Sequence, residues 1–110
     1  MAIHHASSGE LIDIRPLKEN LKNAVTKALF KTHHLEVSRT VLLAGKDVPP
    51  HQVAGEMTVQ CLEGRIELAA AGKTQVLREG DLVCLAGGEM HALKAIDDSS
   101  VLITMLLRGA

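Results

Sequence analysis

Gly45, Gly55, Gly64, Gly72, Gly80 and the pair Gly87 and Gly88 fall seven to ten residues apart, and Gly109 closes the series. Intervals of that length leave room for a strand of five or six residues and a tight turn, and too little for a helix of ordinary length. From Leu35 onward the pattern therefore predicts an all-β chain. Between the glycines lie "LEVSRTVLL", "RIELAA", "TQVLREGD", "LVCLA", "MHALKAI" and "SVLITMLL". In the first of these Val37, Val41 and Leu43 share a face, and in the second Ile66 and Leu68 alternate with Arg65 and Glu67. "AAGKTQ" supplies a hairpin turn. About eight short strands in succession predict a sandwich or barrel.

The first thirty residues differ. In "RPLKENLKNAVTKAL" Leu17, Leu21, Ala24, Val25 and Ala28 recur at helical intervals, and Pro16 suits a first turn. The spacing predicts a short helix over 16–23, and a first strand over 26–31 where Thr26, Ala28 and Phe30 alternate. Lysines 18, 22, 27 and 31 are assigned to a solvated surface. Residues 1–15 are expected to form a mobile N-terminal segment, and 16–110 a single domain, since 110 residues support one core.

Twelve basic and thirteen acidic side chains nearly cancel, so no positive field draws nucleic acid or anionic lipid. With no Trp, no Tyr and one Phe, flat faces for stacking bases or sugars are almost absent. No apolar run approaches a spanning helix and "MAIHHASSGE" lacks a signal-peptide core, from which a cytoplasmic location without membrane contact is expected. Cys61 and Cys84 lie in apolar runs far from any C-x-x-C spacing, so both are expected as core thiols.

Of six histidines, His4 and His5 fall in the N-terminal segment and His33 and His34 in a loop between strands. His51, after Pro49 and Pro50, and His91, after "AGGEM", instead stand at strand ends beside Pro or Gly turns. Those two, with their glycines, carry a resemblance. Gly45, His51 and Gly64 match the first cupin motif, G-x5-H-x-H-x3,4-E-x6-G, and Gly80, Gly88 and His91 match the second, G-x5-P-x-G-x2-H-x3-N. The chain thus resembles a small single-domain cupin with motif 1 at 45–64 and motif 2 at 80–95. The resemblance implies a double-stranded β-helix, or jelly-roll barrel, with a short N-terminal helix before it.

The resemblance also implies a divalent metal held by three histidines and a glutamate, and here the sequence departs from the pattern. Val53 stands at the second histidine position and Met57 at the glutamate position, while Ala86 and Ala95 replace the motif proline and asparagine. His51 and His91 remain as metal candidates. Glu56 is a weaker one, because strand parity puts Met57, Val59 and Cys61 on one face and Glu56, Thr58 and Gln60 on the other. Two imidazoles bind Fe, Mn or Zn far less tightly than a complete set, so no tightly bound cofactor is expected.

His51, Val53, Met57 and His91 then define an apolar pocket polarised by two imidazoles, suited to an unidentified small molecule. The competing reading is a metal-dependent cupin enzyme of oxygenase, isomerase or decarboxylase type with a reduced ligand set. Catalysis by a Cys–His pair is not supported, since Cys61 lies about 13 Å along the strand from Met57 at ~3.3 Å per residue. No P-loop, G-x-S-x-G or H-E-x-x-H spacing is present. Arg39 shares a face with Val37 and Val41, which leaves an edge position with the guanidinium in solvent or an anion clamp in the barrel. Finally, "LVCLA" and "VLITMLL" are apolar on both faces. Leu17, Leu21, Leu29 and Phe30 cover part of the surplus, and an outer face carrying Leu85, Leu102 and Leu106 predicts a homodimer, as the resemblance also implies.

Overall fold

Each glycine of the series from Gly45 to Gly88 lies between two strands, and the chain reverses or changes sheet at each interval. The computed structural model describes residues 5–107, so His4 and Gly109 lie outside the described residues. Among the described residues nine strands are formed: β1 (Lys27–Lys31), β2 (Leu35–Leu42), β3 (Asp47–His51), β4 (Met57–Glu63), β5 (Arg65–Ala70), β6 (Lys73–Arg78), β7 (Leu82–Leu85), β8 (His91–Ala95) and β9 (Ser99–Leu106). All pairings are antiparallel. One sheet runs β1-β2-β9-β4-β7 and the other β3-β8-β5-β6.

Gly64 alone links β4 in one sheet to β5 in the other, at φ +83°. A Cβ there would meet the Asp98 carbonyl and the Ser99 side chain, so only glycine fits so short a crossing. The core fills the space between the sheets. Val59, Cys61, Ile66, Leu68 and Val101 are almost wholly buried, with Leu42, Met57, Leu77, Leu85, Leu93 and Ala95 around them. Full burial of a side chain such as Ile66 or Leu68 contributes about 1.5–3 kcal/mol.

Several expectations need correction. Leu85 belongs to the core opposite Met57, not to the outer face. Its neighbour Cys84 is exposed, because parity turns it outward while Cys61 points in. The N-terminal helix is only a short 3-10 piece over Lys18–Asn23. Its start is set by Glu63, whose carboxylate accepts from the Leu17 N–H (3.0 Å) and the Lys18 N–H (3.0 Å). Lys18 takes φ +54° there, off the α-helical path.

Arg39 is neither at an edge nor in the barrel. It lies on β2 between β1 and β9, is 5% exposed, and faces outward. Its Nη2 donates to Glu63 Oε2 (3.1 Å), Ser100 Oγ (3.2 Å) and the Arg15 carbonyl (2.8 Å). The segment before β1 covers this outer face and joins β1 through the Ala6 N–H to the Leu29 carbonyl. Ser38, Thr40 and Leu42 are therefore the barrel-facing residues of β2. Among the described residues, no helix is long and apolar enough to cross a membrane.

Candidate functional site

Pro49 and Pro50 carry no N–H for the ladder to β8, and the register shifts between Val48 and His51. That shift brings His51 opposite His91 as Cα partners. The imidazole centroids stand 4.2 Å apart with planes inclined at 57°. His51 is at the exposed rim while His91 is 2% exposed. The loop before His91 is fixed by the Gly88 N–H donating to the Val53 carbonyl at 2.8 Å.

Both rings are oriented by the same local device. His51 Nδ1 lies 3.1 Å from the Pro49 carbonyl and His91 Nδ1 lies 3.0 Å from the Glu89 carbonyl. A carbonyl accepts only, so each Nδ1 carries a proton, and in the neutral ring each Nε2 then holds the lone pair. The structure brings His51, Val53, Met57 and His91 around one barrel cavity of about 220 Å³, together with Ser38, Thr40, Val48, Leu93, Ile103 and Met105. Larger grooves of about 610 and 510 Å³ flank the N-terminal segment outside the barrel, away from the imidazoles.

Met105, Ser38 and Thr40 were not found by sequence reasoning. On β9, apolar residues occupy both faces, so parity leaves Met105 undetermined. On β2 Val37 and Val41 mark the outer face, which the N-terminal segment covers, while the Ser38 and Thr40 hydroxyls lie on the inner face with Leu42. The alternation was visible and its polarity was reversed by a layer that periodicity does not report. His33 and His34 form an edge-to-face pair in the exposed turn between β1 and β2, with centroids at 4.9 Å.

Two antiparallel sheets closing over a cavity with a histidine on each of two paired strands define a cupin-fold protein. The solved structures similar to this chain have that fold. A cupin superfamily protein from Desulfitobacterium hafniense is 17% identical, with 94% of this chain and 100% of that chain covered and a TM-score of 0.77. A conserved protein of unknown function from Streptococcus pyogenes is 19% identical over 100% of this chain and 97% of that one, with a TM-score of 0.76. KdgF from a Halomonas species is 24% identical over 76% and 77% of the two chains, with a TM-score of 0.70. No family model and no curated protein matches the sequence.

The divalent metal associated with the fold meets a poor donor set in this chain. Val53 and Met57 line the cavity where the motif would have histidine and glutamate. Glu56 is exposed and outside the cavity lining, as its parity requires. Among the described residues no group of three His, Cys, Asp or Glu side chains is placed to hold a metal ion. The residues present do not fit Fe, Mn or Zn.

Proposed function

We propose that this protein is a small-molecule-binding cupin whose barrel cavity is polarised by His51 and His91. The observation that carries the reading is the matched orientation of the two rings, with each Nδ1 tied to the carbonyl two residues before it and, in the neutral rings, both Nε2 lone pairs left for a ligand. Such a pair favours a ligand that presents hydrogen-bond donors or positive charge. A carboxylate would meet two acceptors. The Ser38 and Thr40 hydroxyls add polar contacts on the facing sheet, and Val48, Val53, Leu93 and Ile103 supply the apolar wall. At about 220 Å³ the cavity is smaller than the ~300–1,000 Å³ of drug-sized sites, which calls for a compact ligand.

NMR of the histidine rings tests the reading, with ethylammonium and 1,2-propanediol as probes and acetate as the contrasting anion. At neutral pH the first two are expected to shift the His51 and His91 ring signals and to leave His33 and His34 unmoved. His51→Ala, at the exposed rim, should abolish the response at His91. Rings indifferent to both donors, or responding to acetate alone, would overturn the reading.

A further inference from the structure

Two of the cross-strand pairs that line the cavity, one on each sheet, carry ring nitrogen or thioether sulfur. His51 and His91 are Cα partners across β3 and β8, and Met57 and Met105 are Cα partners across β4 and β9. All four side chains line the same cavity. Facing sheets stand ~10 Å apart in such folds, a gap that histidine and methionine side chains reaching in from opposite sides can close. Two imidazoles and two thioether side chains therefore line one space.

The charge and softness of this set select its ion. Among the described residues no Asp, Glu or Cys lines the cavity, so a divalent cation would enter without a compensating negative charge from them. Thioether sulfur bonds poorly to hard divalent ions and well to Cu(I), and imidazole accepts Cu(I) too. Both rings already have the fixed Nδ1–H and open Nε2 that ligating histidines use.

We propose that the cavity binds Cu(I) through Nε2 of His51 and His91 and the thioethers of Met57 and Met105. The inference rests on the cavity being a binding site and names a soft monovalent cation as its ligand. The coordination is neutral and leaves the ion's single charge uncancelled, so a compact anion or a second soft ligand has reason to join it at the rim beside His51.

The test supplies Cu(I) anaerobically as its acetonitrile complex to a Cys84→Ser protein, which removes the exposed thiol as a competing site. The methyl signals of Met57 and Met105 are followed by NMR, and affinity is measured against a chromogenic Cu(I) chelator. One equivalent should shift both methyls and leave Met90, 53% exposed, unmoved. Met57→Leu and Met105→Leu keep volume and apolarity, and each is expected to weaken Cu(I) binding at least tenfold. Zn(II) should leave both methyls in place. Methyls indifferent to Cu(I), leucine variants with unchanged affinity, or Zn(II) bound as tightly as Cu(I) would overturn the proposal. If ethylammonium and 1,2-propanediol still move the histidine rings in that case, the copper assignment falls and the small-molecule reading stands. Cu(I) bound by a protein that ignores both donors reverses that result.

Discussion

The Glu63 carboxylate accepts from the Leu17 and Lys18 N–H groups, from the Ser100 hydroxyl at 2.6 Å and from the Arg39 guanidinium. Burial acts to raise its pKa. The Ser100 hydroxyl, the two backbone N–H groups and the Arg39 charge outweigh burial and hold the carboxyl below its ordinary value of 4.5. A folded-state pKa below the unfolded one means that this stabilisation is full above the unfolded value and is lost as pH falls through the folded one. Glu63→Gln removes one partner of a pair whose side chains are only 6% and 10% exposed, leaving Arg39 buried without its counter-ion. The expected cost at pH 7 is about 3–5 kcal/mol, read from urea unfolding. The variant should also lose stability less steeply than the parent below pH 4.5. Equal slopes in acid, or a cost near zero at pH 7, would place the folding role elsewhere. None of this was legible in the sequence, because Arg39 and Glu63 are 24 residues apart and no periodicity links them.

The β5–β6 hairpin closes through two residues, Ala71 at φ +53° and Gly72 at φ +77°. Two positive φ values in a two-residue loop are the type I′ signature, which favours Asn-Gly and disfavours a Cβ at the first position. Ala71→Asn is expected to stabilise the protein by about 1 kcal/mol, seen as a higher urea midpoint with unchanged slope. A lower midpoint would show that Asn disturbs the Ala71 N–H bond to Glu89 Oε2, 3.3 Å long. This turn was readable from "AAGKTQ" because its chemistry is local. So were His51 and His91, whose positions follow from Pro and Gly beside them. The inward residues of β2 and β9 were not, since their assignment depends on what lies over the sheet: Arg15 and Leu17 over β2, and both apolar faces on β9. The short helix was placed within two residues of its start, and the Leu17 and Lys18 N–H groups at that start are held by Glu63 from a distant strand.

Across the whole molecule, the larger sheet leaves an outer apolar row. Leu82 is 59% and Leu106 46% exposed, with Leu102 partly exposed and in register, across Gln60, with Leu82. With Leu85 assigned to the core, Leu82 takes its place in the patch. A second copy packed about a twofold axis is the expected cover. Light scattering at micromolar concentration should give a mass near twice 11.8 kDa, and Leu82→Glu, which disturbs no core contact, should halve it. A parent mass of 11.8 kDa would reject the dimer. The same sheet has a further property, which concerns time. Its central strand, β9, comes last among the described strands, and its neighbours β2 and β4 precede it by dozens of residues. On a ribosome adding ~5–20 residues per second, β4 waits on the order of two to seven seconds between its own completion and the emergence of β9. Throughout that wait the edges of β2 and β4 that β9 later occupies lack that partner strand. The nascent chain is thus open to pairing with foreign strands until β9 is made.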